Sequence, residues 1–120
     1  MAIIINYLEK IDVLVLLADV GEPPPERLER LYKMLLEANH LFTATAGATL
    51  SLDPESGHVV LCRAVRCMAV GVEEFVSVVE QFVNTLEMWT STVVAFRDVP
   101  KDSGDDASGV DKFPGLFIQV

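Results

Sequence analysis

The stretch Phe42-Thr43-Ala44-Thr45-Ala46-Gly47-Ala48-Thr49-Leu50-Ser51-Leu52-Asp53-Pro54-Glu55-Ser56-Gly57-His58-Val59-Val60-Leu61 decides how this chain is read. Its first part alternates. Phe42, Ala44, Ala46, Ala48, Leu50 and Leu52 fall on one side of a period of two, and Thr43, Thr45, Gly47, Thr49 and Ser51 on the other. That pattern predicts a half-buried strand over residues 42–53 with small residues on its inner face. Asp53-Pro54-Glu55-Ser56-Gly57 carries the side chains of a turn. Residues 58–67 then read as the returning strand, so the pair is a predicted hairpin.

Working outward, residues 3–10 are rich in β-branched and aromatic types, with Ile3, Ile5 and Tyr7 facing one way and Ile4, Asn6 and Leu8 the other. Three consecutive isoleucines favour a strand over a helix through Ile4, Leu8 and Ile11. After the polar break at residues 9–12, residues 13–20 run almost continuously apolar to Gly21. Two antiparallel strands joined by a short turn are predicted. Pro23-Pro24-Pro25 then opens a helix over residues 25–40, because proline fits a first turn whose N–H groups have no partner. Leu28, Leu31, Tyr32, Leu35, Leu36 and Leu41 form its predicted inner stripe. A second helix starts at Val72. Phe75, Val76, Val79, Phe82, Val83, Leu86 and Trp89 recur at helical spacing, and Val93 and Phe96 can prolong it.

The order β-β-α-β-β-α makes this an α+β chain, an antiparallel sheet covered by helices. Its 120 residues are one domain's worth. The predicted organisation is a folded unit over residues 1–97, an acidic Ser/Gly/Asp linker over 98–112 and an apolar segment over 113–120.

Composition excludes several classes of function. Eighteen acidic residues against nine basic ones give a net charge of -9. Nucleic-acid binding needs a basic face to replace counterions on phosphate, and docking on anionic lipid needs the same. No uninterrupted apolar run is long enough to span a membrane. The opening Met-Ala-Ile-Ile-Ile has neither the basic start nor the cleavage site of a signal peptide, so a cytoplasmic protein is expected. Cys62 and Cys67 are five residues apart on a predicted strand, point to opposite faces, and are read as reduced thiols.

Catalytic motifs are missing. His40 and His58 are the only histidines. There is no H-E-x-x-H, no C-x-x-C, no phosphate loop with its lysine and no G-x-S-x-G elbow. No enzyme, metal or cofactor is expected. His58 reads as an exposed strand residue and Trp89 as core.

The central block resembles a known family. Leu31-Tyr32-Lys33-Met34-Leu35-Leu36-Glu37-Ala38-Asn39-His40-Leu41-Phe42 leads into Thr45-Ala46-Gly47-Ala48-Thr49-Leu50 and then Leu52-Asp53-Pro54-Glu55-Ser56-Gly57. This is similar to the Tir chaperone family, the class I type III secretion chaperones. Their pattern is a helix ending in a Leu-Glu-Ala-Asn-like run with a nearby Phe, a Gly-Ala-Thr-Leu-like strand and an Asp-Pro-Glu-x-Gly turn. Glu80-Gln81-Phe82-Val83-Asn84 and Glu87-Met88-Trp89 resemble the family's last helix.

The resemblance implies a homodimer in the bacterial cytoplasm, with no cofactor and no catalysis. It would bind the N-terminal region of a secreted effector in extended form and keep it soluble and secretion-competent. Family members usually begin with a further helix and strand, so this chain would lack them, either by truncation or as a shortened member. Two other readings share the fold: a regulator that sequesters a partner protein, and a structural homodimer.

Three sets of residues are expected to carry the work. Leu28, Leu31, Tyr32, Met34, Leu35, Phe42, Ala44 and Leu50 are the predicted dimer interface, since two opposed faces of the first helix are apolar. Ile3, Ile5, Tyr7, Val13, Val15 and Leu17 are the predicted effector-binding residues. Phe113, Leu116, Phe117 and Ile118 are predicted to dock in an apolar groove.

Overall fold

A computed structural model of the chain describes residues 2–98. The predicted linker and the segment holding Phe113, Leu116, Phe117 and Ile118 lie outside the described residues.

The first strand, β1 (Ile3–Leu8), is where the isoleucine run predicts it. A 3-10 turn at Glu9–Ile11 follows, and Asp12 closes it in the left-handed conformation. The chain then returns antiparallel as β2 (Val13–Gly21), pairing Leu8 with Val13 and Ile3 with Ala18. After the prolines the helix does not start at Pro25. Residues Pro25–Arg27 form a 3-10 turn held by the Arg27 N–H on the Pro24 carbonyl, and α1 occupies Leu28–Asn39.

The long strand predicted over residues 42–53 is the main correction. Only β3 (Thr49–Leu52) is strand. His40–Phe42 is a 3-10 turn, and Leu41, Phe42, Ala46 and Gly47 all have positive φ, which no strand allows. The backbone bonds locally instead: Thr43 N–H to the His40 carbonyl, Thr45 to Phe42 and Ala48 to Thr45. The alternation of alanine and threonine therefore arises from a folded loop that buries Ala44, Thr45 and Ala48.

The remaining elements are β4 (Val59–Arg66) and α2 (Val72–Asp98), so Val93 and Phe96 do extend the last helix. All strand pairs are antiparallel, in the order β1-β2-β4-β3.

Register sorts the sheet into two faces, because directly opposed residues share a side. Leu16, Ala18 and Val20 of β2, Leu50 of β3, and Val59 and Leu61 of β4 face the helices. They meet Leu31, Met34, Leu35 and Ala38 of α1, spaced i, i+3, i+4, i+7, and Phe82, Leu86, Trp89 and Val93 of α2. The opposite face carries Ile4, Leu8, Val13, Val15, Leu17, Val60 and Cys62, all half-buried or exposed.

Candidate functional site

The sheet has two edges, and the chain treats them differently. At β3 the side chain of Asn39 stands in for a neighbouring strand. Its Nδ2 donates to the Leu50 carbonyl at 2.9 Å, and the Leu50 N–H donates to its Oδ1, also at 2.9 Å. The loop leading into β3 is pinned as well. Trp89 Nε1 donates to the Ala44 carbonyl at 2.9 Å, and Arg63 Nη1 donates to the Ala46 carbonyl at 2.6 Å. The φ of +86° at Gly47 favours glycine here, since a side chain would be strained in that conformation.

The β1 edge has no such cover among the described residues. It pairs with β2 on one side and no strand lies on the other. Alternate residues along β1 turn their N–H and C=O away from β2 there, and the side chains around them are mostly apolar. Ile4 is 55% exposed, Ile5 and Tyr7 53%, and Leu8 44%. The Tyr7 hydroxyl donates to Asp12 Oδ1 at 2.6 Å, which raises its pKa because ionisation would break that bond and set two anions side by side.

The predicted effector-binding residues do not form one surface. Ile3, Ile5 and Tyr7 lie opposite Ala18, Leu16 and Leu14, on the helix-covered side of the sheet. Val13, Val15 and Leu17 lie opposite Leu8, Asn6 and Ile4, on the uncovered side. What unites the two sets is the β1 edge between them. Ile4 and Leu8 belong with the exposed group and escaped the sequence reading.

The predicted dimer residues divide in the same manner. Leu31, Met34, Leu35, Ala44 and Leu50 are buried in the chain's own core, because their spacing faces the sheet. Leu28 and Tyr32 are half-buried, and Phe42 is exposed. The expected inner stripe also misplaced two leucines: Leu36 is 71% and Leu41 72% exposed. Tyr32, Leu36 and His40, with Glu29, Lys33 and Glu37, line an open groove of about 490 Å³ along the outer side of α1.

Elsewhere, His58 sits beside Asp19, with Nδ1 3.0 Å from Oδ2, so it is partnered across the sheet rather than a bare strand residue. Cys62 and Cys67 are both free, and partial burial pushes the Cys62 thiol up, away from the reactive thiolate. No group of three or more His, Cys, Asp or Glu among the described residues is placed to hold a metal ion. No described helix is long and apolar enough to cross a membrane.

Solved structures of the same fold are protein complexes. A chain of the ExsC–ExsE complex matches with a TM-score of 0.60 and 19% identity, over 74% of this chain and 65% of that one. The heterodimeric ExoU–SpcU complex from the type III secretion system of Pseudomonas aeruginosa matches with a TM-score of 0.62 and 20% identity, over 80% of this chain and 74% of that one. The HopA1–SchA chaperone–effector complex matches with a TM-score of 0.53 and 19% identity, over 82% of this chain and 68% of that one. The chain thus spans about two thirds to three quarters of those it matches, and 65% of the ExsC–ExsE one. No curated protein matches it. The profile of the Tir chaperone protein (CesT) family covers residues 1–90, which contain both sheet edges, the Asn39 clamp and Trp89. With that match over three quarters of its length, this chain belongs to the Tir chaperone protein (CesT) family.

Proposed function

We propose that the protein binds the N-terminal region of a secreted effector in extended form and keeps it secretion-competent in the bacterial cytoplasm. The observation that carries this reading is the open β1 edge. Unpaired N–H and C=O groups along β1 take a peptide backbone by strand addition, and exposed Ile4, Ile5, Tyr7 and Leu8 take its apolar side chains on both faces. The matched HopA1–SchA structure is a chaperone–effector complex, which supports the same use of the fold here. The net charge of -9 limits self-association of a surface that must stay adhesive.

The working unit is a homodimer. Leu36 on α1 and Leu41 and Phe42 in the turn after it are exposed apolar side chains among the described residues. A second copy covering them with the same residues would make a two-fold interface. Light scattering should give twice the chain mass, and Leu36→Asp should give monomer.

The test of the function is pairwise co-expression with the N-terminal segments of secreted proteins from the same genome. One of them should become soluble and co-elute with this chain. If every segment behaves identically with and without the chain, the reading is wrong.

A further inference from the structure

We propose that the first turns of α2, together with the turn that joins β1 to β2, form a second docking surface for the effector, and that its occupant is a basic amphipathic helix. This rests on the reading of β1 as the effector edge and gives the same partner a further contact.

Three observations carry it. The first is a contrast within α2. From Phe82 onward the helix is anchored by Phe82, Leu86, Trp89 and Val93, all buried. Residues 72–80 hold no buried side chain, yet they include Phe75 and four valines. Valine is a weak helix former, because its branched side chain loses rotamer freedom against the preceding turn. An exposed helix start gains nothing from it unless something packs there. Val78 and Val79 reach the margin of the core, whereas Val72 and Val76, one turn apart, are 81% and 51% exposed.

The second is placement. The last residue of β4, Arg66, pairs with Val13, and the Cys67 N–H donates to the Asp12 carbonyl at 3.1 Å. Val13 in turn opposes Leu8, the last residue of β1. The start of α2 is therefore tied to the end of the sheet where β1 finishes. Two further apolar side chains are exposed there, Ile11 in the turn and Met68 just before α2. Methionine adapts its shape to a partner. A peptide strand paired with β1 leaves the edge beside these residues, so one polypeptide can engage both surfaces.

The third is charge. Glu73, Glu74 and Glu80 of α2, with Glu9 and Asp12 of the turn, stand around this end against only Lys10 and Arg66. Carboxylates around an apolar surface favour a partner that carries lysine or arginine beside its apolar side chains. Val72 and Val76, spaced i and i+4, present the ridge that a facing helix packs against.

The experiment uses two synthetic probes, an amphipathic helix of leucine and lysine and the same helix with glutamate in place of lysine. Titrated into the full chain, the lysine peptide should shift the methyl resonances of Met68, Val72 and Val76, and the glutamate peptide should not. The triple variant Met68→Ser, Val72→Ser, Val76→Ser should weaken lysine-peptide binding about tenfold or more. Val76→Leu should retain it, which separates loss of the surface from loss of the fold. Equal binding of the two peptides, or shifts that map elsewhere, overturns the proposal. Methyl shifts that appear without peptide as the protein concentration rises also overturn it, since they assign the surface to a second copy. None of these readouts needs an effector. If the lysine peptide maps here but no effector segment co-elutes, the chaperone reading fails alone. If an effector segment binds the triple variant as tightly as the wild type, the second surface fails alone. Where both hold, the triple variant should weaken effector binding about tenfold, while Ile5→Lys on the β1 edge leaves lysine-peptide binding unchanged.

Discussion

The two edges of the sheet differ in what guards them. The β3 edge is short, four residues, and an asparagine side chain fills both backbone valences of Leu50. Behind it, Trp89 and Arg63 hold the carbonyls of the incoming loop. The β1 edge is longer and carries exposed isoleucine, tyrosine and leucine. Covering an edge is the usual way to prevent sheet-to-sheet association. The chain spends a tryptophan, an arginine and an asparagine on one edge and, among the described residues, nothing on the other.

The largest expected effect comes from breaking the guarded side at its deepest point. Trp89 is completely buried, and Trp89→Ala should cost about 3–5 kcal/mol by loss of packing. Trp89→Phe keeps most of the packing but orphans the Ala44 carbonyl, and should cost about 1–3 kcal/mol. Urea unfolding measures both. If Trp89→Phe matched the wild type, the Ala44 bond would not be what fixes the loop.

Next is the clamp itself. Asn39→Ala leaves the Leu50 N–H and C=O without partners and should cost about 1–3 kcal/mol. It should also turn β3 into a second open edge, read as faster exchange of the Leu50 amide and increased light scattering. Asn39→Asp keeps an acceptor for the N–H but turns a carboxylate oxygen toward the Leu50 carbonyl. It should not rescue. A variant as stable and as soluble as the wild type would remove the basis of the contrast between the edges.

On the open side the expectation reverses. Ile5 is half-exposed, so Ile5→Lys should change stability by no more than about 0.5 kcal/mol. A lysine on an edge discourages strand addition, so co-elution with an effector segment should be lost. Retained co-elution would move the binding surface away from β1.

The element order and the position of both helices could be read from periodicity, because isoleucine runs and leucine spacing are decided locally. The loop over residues 43–48 could not. Its alternation of small apolar and hydroxyl residues has the strand period, but φ is positive at Leu41, Phe42, Ala46 and Gly47, and the loop's carbonyls at Ala44 and Ala46 are held by Trp89 and Arg63, distant in sequence. The inner face of α1 was ambiguous for a similar reason. Leu31, Met34, Leu35 and Ala38 make one stripe and Leu28, Tyr32 and Leu36 another, and only the packed sheet selects between them. The role of Asn39 left a trace in the family-like Leu-Glu-Ala-Asn run, but nothing in an asparagine at a helix end says that it will close a strand edge.

The smallest effect lies in the hairpin that joins β3 to β4. Asp53 Oδ1 accepts the Glu55 N–H at 3.0 Å, and the Gly57 N–H bonds to the Asp53 carbonyl at 2.7 Å. The Glu55 bond, with help from Ser56, holds the Asp53 carboxyl below the usual carboxylate range, against a smaller opposing effect of desolvation. A folded-state pKa below the unfolded one means that the contribution to stability is complete above the ordinary carboxylate range. It is lost as pH falls through that range to the depressed folded value. Asp53 is at the surface and water screens it, so the effect on the whole fold is slight, but it is local and can be assigned. A carboxyl-carbon titration should place Asp53 below the ordinary carboxylate range, and Asp53→Ala should remove the corresponding acid dependence of Glu55 amide exchange. An Asp53 that titrates in the ordinary carboxylate range would show that the turn holds without it, leaving Asn39 and Trp89 as the guards of the β3 edge.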